Sequence, residues 1–170
     1  ERTVTAPLSG RPCAYWRVVV EERRSSGDNH YSWETIIDEH GGVDFFLRDG
    51  EDEALVKTSC VQAVLNEDGR FWSGSSDDAD PQVEASLEAF VATRFSRLFF
   101  MFPKRLRYRE GVVEPGELVA AVGVGRWEHT PDEQARAGVG YREARLPERL
   151  VLDAPAEGPL LLSDEVGMTE

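Results

Sequence analysis

The sequence predicts a mainly β (α+β) domain: a curled antiparallel sheet or β-barrel, crossed by one long amphipathic helix at about 81–100. Two observations carry that prediction. Apolar runs with a period of two recur from Cys13 to Leu162, parted by turns rich in Gly, Asp and Pro. One stretch, opened by Asp80-Pro81, switches to the helical period and holds it to about Phe100.

The elements follow in order. Residues 1–12 read as a polar arm closing in the turn signal Ser9-Gly10-Arg11-Pro12. Cys13 to Glu22 is a strand, with Trp16, Val18 and Val20 on one face and Tyr15, Arg17 and Val19 on the other. A hairpin tip at 24–29 leads to a strand from Tyr31 to Asp38, where Trp33, Thr35 and Ile37 are in phase. Glu39-His40-Gly41-Gly42 then reads as a turn. Val43 to Arg48 is a third strand, Asp49-Gly50 a hairpin dipeptide, and Ala54 to Val61 a fourth strand. This spacing implies an antiparallel meander.

Residues 66–80 read as a loop. Asp80 caps the helix and Pro81 takes its first position. Val83, Leu87, Phe90, Val91, Arg94 and Leu98 share one stripe, and Pro103 ends the helix. A strand over Leu106 to Glu110 and a Pro115-Gly116 turn come next. Leu118 to Val124 is apolar on both faces, the pattern of a central strand. Residues 128–147 form a polar excursion, and Leu150 to Asp153 and Gly158 to Leu162 make the last short strands. The domain reading is an arm over 1–12, one domain over 13–163 and a tail over 164–170.

Charge and composition narrow the function classes. The 170 residues carry a formal charge of −13, which sets the surface against nucleic-acid backbones and anionic membranes. Arg94, Arg97, Lys104, Arg105, Arg107 and Arg109 are crowded together, and the expected reading is a helix and exit strand shedding charge into water. The apolar run Leu98 to Phe102 is far short of the roughly 20 residues of a membrane span. The chain opens on Glu1 with no basic leader, so it reads as an excerpt of a longer polypeptide whose anchor and partner domains lie elsewhere.

Candidate chemistry is thin. Cys13, Cys60, His30, His40 and His129 match no structural zinc spacing, so no metal and no cofactor is expected. Asp77-Asp78-Ala79-Asp80 lacks the Gly and distal Glu of a calcium loop and reads as a solvated cap. Both cysteines sit in strand-like runs and read as buried thiols. A hydrolase-like site would centre on His40, with Asp38 and Asp49 nearby, but no serine stands in a nucleophile elbow. Phe71-Trp72 lies at a loop margin between Gly69 and Gly74 and is the candidate anchor for a protein partner.

Four stretches point to a family. Ser9-Gly10-Arg11-Pro12-Cys13-Ala14-Tyr15-Trp16-Arg17-Val18 resembles the opening strand of the GIDE-type domain, also called the BAM ("beside a membrane") domain. Val43-Asp44-Phe45-Phe46-Leu47-Arg48-Asp49-Gly50 resembles its apolar hairpin. Tyr108-Arg109-Glu110, with Val113-Glu114-Pro115-Gly116-Glu117-Leu118-Val119-Ala120-Ala121-Val122-Gly123, resembles its glycine-turn strand pair. Gly158-Pro159-Leu160-Leu161-Leu162-Ser163 resembles its closing strand. That domain occurs in membrane-anchored RING-type E3 ubiquitin ligases and in bacterial proteins. The cysteine and histidine content leaves no room here for a RING, so the resemblance implies the bacterial form without it. It implies a soluble, non-enzymatic recognition or sensory domain of a membrane-anchored protein, with a protein partner and no nucleic acid. One alternative is the target-selecting part of a ubiquitin transferase whose catalytic module lies outside this chain. The other is the hydrolase-like site around His40.

Overall fold

A computed structural model describes residues 2–25, 30–66, 69–72, 81–94, 105–129 and 148–165. In chain order its strands are β1 (Val4–Thr5), β2 (Pro12–Cys13), β3 (Tyr15–Ser25), β4 (Tyr31–Gly42), β5 (Phe45–Asp49), β6 (Asp52–Val56), β7 (Val61–Val64) and β8 (Gly69–Trp72). After helix α1 (Pro81–Ala92) come β9 (Leu106–Val113), β10 (Ala120–Val122), β11 (Val124–His129), β12 (Glu148–Asp153) and β13 (Leu160–Ser163). Among the described residues the fold is mainly β with one α-helix, in line with the expected class.

The described strands form separate sheets and close no barrel. A four-stranded antiparallel sheet has the order β4-β3-β9-β8, a second runs β11-β12-β6-β5, a three-stranded sheet runs β10-β13-β7, and β1 pairs with β2. The meander expectation is corrected at two places. β12 pairs with β6 in parallel and β13 pairs with β7 in parallel, so the chain's last strands return beside its early ones. Such pairings join residues far apart in sequence, which local turn signals cannot reveal.

The alternation on β3 organises the large sheet. Val18 and Val20 are fully buried on one face with Ile37, Leu106 and Tyr108, and Leu87, Phe90 and Val91 of α1 pack there together with Leu8. Arg94 fastens the end of the helix. Its guanidinium donates to both carboxylate oxygens of Glu39 at 2.7 and 2.6 Å, donates to the Phe90 carbonyl, and lies 3.6 Å over the Phe90 ring. The helix described ends at Ala92, and the expected continuation over 95–100 lies outside the described residues.

The N-terminal segment is packed onto this same face. Ala6 and Leu8 are buried, and the buried Glu110 carboxylate of β9 accepts from the Leu8 and Ser9 amides at 2.8 and 2.9 Å. A charge among apolar neighbours is costly unless hydrogen-bonded, and two backbone donors satisfy it here.

Three local expectations are corrected. Glu39-His40-Gly41-Gly42 is no turn but the end of β4, paired through Gly42 with Tyr15. Its glycines serve close approach: a Cβ on Gly41 would stand 2.8 Å from the Trp16 ring, and one on Gly42 would collide with the Ala14 carbonyl. Trp33 and Ile37 do not share a face, because the register to β3 shifts between Val20 and Glu21. The bulge inverts the alternation beyond it. Finally, β10 is an edge strand, not a central one, and Val122 on it is exposed.

A second core cluster joins Tyr15 and Val113, at the end of the large sheet, to Val56, Val61, Ala63, Leu160 and Leu162. It holds the small sheet against the large one and thereby places β7 beside the uncovered face of β3 and β4.

Candidate functional site

The face of the large sheet away from α1 is polar. Tyr15 and Arg17 of β3 and Asp38 and His40 of β4 stand there. With residues 61–63 of β7 they line a hollow of ≈ 340 Å³. The pairings explain the grouping: Arg17 is opposite His40, Val19 opposite Asp38 and Tyr15 opposite Gly42, so side chains two apart on each strand share this face. Volumes of roughly 300–1,000 Å³ are usual for ligand sites, and this hollow lies at the small end.

Arg17 organises the hollow. Its Nε and Nη2 donate to the two Asp38 oxygens at 2.8 and 2.7 Å, and its Nη1 donates to the Ala63 carbonyl at 3.0 Å. The paired guanidinium holds the Asp38 carboxyl below its ordinary range, and the carboxylate in turn raises Arg17. The His40 ring stacks on Tyr15, with centroids 5.8 Å apart and planes 19° from parallel. Burial pushes the Tyr15 phenol up to about 12, so it remains a neutral donor at physiological pH. Farther along the same face, Arg107 and Arg109 meet the buried Glu21 carboxylate at 2.6 and 3.2 Å.

The wall formed by β7 is a strand edge. Among the described residues β7 ends its sheet, bonded to β13 on one side alone. Three consecutive residues of it line the hollow, which a strand face could not do, since successive side chains point to opposite faces. The Ala63 carbonyl on that edge is bonded to a side chain, Arg17, where a neighbouring strand would otherwise bond.

Two residues of the hydrolase-like expectation are therefore brought together and one is not. Asp38 and His40 share the hollow, whereas Asp49 lies at the β5–β6 hairpin opposite Asp52. The Asp38 carboxylate is bound in bidentate fashion by Arg17. Neither cysteine lines the hollow. Cys13 is buried beside Ala6 and Val112, and desolvation raises its thiol to about 11. Cys60 donates to the Lys57 carbonyl at 3.1 Å, and burial raises it too. Both cysteines are free thiols.

Phe71 and Trp72 are on β8, where a loop was expected, at the far edge of the large sheet. Their backbone pairs with Tyr108 and Arg107, and their side chains lie outside the described residues. The acidic run 77–80 lies outside them as well. Among the described residues no group of three or more His, Cys, Asp or Glu could hold a metal ion, and no helix is long and apolar enough to cross a membrane.

Of the seven residues lining the hollow, sequence reading singled out Asp38 and His40 and missed the rest, Arg17 and Gln62 among them. A signal for Arg17 existed, since it is the lone cation on the non-core phase of β3 before Glu21. Gln62 had none, because β7 reaches the hollow through a parallel crossover. No protein-family model matches the chain, and no significant match was found among curated proteins or solved structures.

Proposed function

We propose that this chain is a non-enzymatic recognition or sensory domain that binds an extended segment of a protein partner along the outer edge of β7. The observation that carries this reading is the hollow whose wall is an unpaired strand edge. Strand addition draws its affinity from main-chain hydrogen bonds and its selectivity from side-chain pockets beside the edge. The Ala63 carbonyl retains a second lone pair for an incoming amide. Tyr15, His40, Gln62 and the Arg17–Asp38 pair would set which side chains are accepted.

The four stretches that resemble the GIDE-type domain fall on β2–β3, on β5 and its hairpin tip, on β9–β10 and on β13. That order supports the reading of a membrane-proximal domain whose anchor belongs to the parent protein. The same reading leaves ubiquitin transfer to a module outside these residues. Phe71 and Trp72, on the edge strand β8, are a second surface for the partner.

Panning a random-peptide display library against the chain tests the proposal. Binders are expected that lose affinity at least about tenfold on Gln62→Lys or His40→Ala, a change of about 1.4 kcal/mol, and that ignore Asp49→Asn. Binders indifferent to both hollow substitutions would refute the site. The hydrolase-like alternative rests on the shared position of Asp38 and His40. Turnover of a generic ester panel that vanishes in His40→Ala would favour it over recognition.

A further inference from the structure

Among the described side chains the most exposed large aromatic is Trp127 on β11, at the opposite end of its sheet from β5. This strand ends the sheet β11-β12-β6-β5, and no described strand pairs with its outer edge. Edge strands are normally blunted by Lys, Pro, a bulge or brevity. β11 has no Lys, no Pro and no shift over its six paired residues, and its charged side chains Arg126 and Glu128 are of opposite sign. Trp127 is 68% exposed on it, and Val122 and Val124 just before it are exposed as well. An aromatic of this size in water on an open edge marks a contact surface.

The sequence of the strand indicates what meets it. Read antiparallel to itself about Trp127, it is complementary in charge. In that pairing Trp127 would face the partner's Trp127, Arg126 the partner's Glu128, and Glu128 the partner's Arg126. The neighbouring registers lose this. A two-fold axis at Arg126 sets arginine against arginine, and one at Glu128 sets glutamate against glutamate, which is unfavourable for directly opposed strand residues.

Within each chain the same two charges pair with each other and with their neighbours. Arg126 lies 2.9 Å from Asp153 and 2.7 Å from Glu128, with half its side chain in solvent. Glu128 is in turn reached by Lys57 at 2.8 Å and Arg149 at 3.5 Å. Opposite charges from a second copy would join these existing networks, whereas like charges would disturb them.

We propose that two copies of this chain associate by antiparallel pairing of β11 with β11 about a two-fold axis at Trp127, fusing their four-stranded sheets into one. A two-fold interface is self-complementary by construction, and the strand satisfies that requirement. This contact is separate from the β7 edge, so a monomeric variant can still bind a peptide there, and either proposal can fail alone.

Sedimentation and light scattering on the full chain over a range of concentrations decide it. The unmodified chain is expected to dimerise. Arg126→Glu alone and Glu128→Arg alone are each expected to weaken the dimer at least about tenfold, because each sets like charges across the axis. An equimolar mixture of these two variants is expected to dimerise again, since every cross-axis pair is then opposite in sign. Trp127→Glu, at an exposed position that leaves the core intact, is expected to give monomers. A chain still monomeric at about 1 mM, the weak end of useful affinity, would overturn the proposal. So would a dimer that survives Trp127→Glu, or a mixture that remains monomeric.

Discussion

The two faces of the large sheet are built from alternate residues of the same strands, yet they obey different physics. Toward α1, Val18, Val20, Ile37, Leu106 and Tyr108 are buried, and the single charge among them, Glu110, is saturated by the Leu8 and Ser9 amides. Toward the hollow, Arg17, Asp38, Glu21, Arg107 and Arg109 hold one another in ion pairs, and Asp38 and His40 stay exposed. The covered face stabilises the fold by removing apolar area from water, at about 25 cal/mol per Å². On the open face the partly exposed Arg17–Asp38 pair adds little, roughly 0–1 kcal/mol. The comparison teaches that the covered face is packed almost wholly by apolar side chains, whereas the other combines the buried Tyr15 and Glu21 with polar groups left in solvent.

Substitutions of matched chemistry sharpen the contrast, and the largest effect is expected at Glu110. Glu110→Ala strands two backbone donors inside the protein and should cost about 3 kcal/mol in urea denaturation. A loss below about 1 kcal/mol would show that water reaches the Leu8 and Ser9 amides after all.

The neighbouring pair Val18 and Val19 is the cleanest comparison. Val18→Thr buries a hydroxyl on the covered face and should cost about 2 kcal/mol, while Val19→Thr, on the open face, should stay within about 0.5 kcal/mol. Equal losses would break the two-face account outright.

Titration tests groups on both faces. Cys13 is raised from 9.0 to about 11, and Tyr108, on the α1 side, from 10.0 to about 12. The folded state therefore holds protons that the unfolded chain has released. Stability from these groups is full below pH 9.0 and is lost as pH rises toward about 11 and 12. Tyr15 adds to the same alkaline loss, rising from 10.0 to about 12. Asp38 is lowered from 3.8 by Arg17, so its contribution is present above that pH and lost as pH falls through its folded value. Unfolding midpoints across pH should show Cys13→Ala with Tyr108→Phe flattening the alkaline decline. Asp38→Asn should alter the acid limb alone.

A small stability effect is expected from Arg17→Ala. It should cost at most about 1 kcal/mol, because both partners of the lost ion pair are partly in solvent. Peptide binding at the β7 edge should nevertheless be altered, since Arg17 bonds the Ala63 carbonyl there. Stability and binding moving together would argue that the hollow is a structural feature of the sheet and not a site.

Much of this architecture was legible in the residues. The two-faced alternation of β3, the start of α1 at Pro81 and the Asp49-Gly50 hairpin, with Gly50 at φ 60°, follow from side-chain geometry and turn stereochemistry over a few residues. Local chemistry suffices there because the interacting groups are close in the chain. The glycine pair 41–42 misled, because glycine serves tight packing as readily as turning, and the neighbours that decide, Trp16 and Ala14, come from another strand. The parallel return of β12 and β13 beside β6 and β7, the Glu110 clasp on the N-terminal segment and the approach of β7 to His40 were settled by tertiary structure alone. Each joins residues distant in sequence, and no propensity or period encodes which distant strand a given edge will meet.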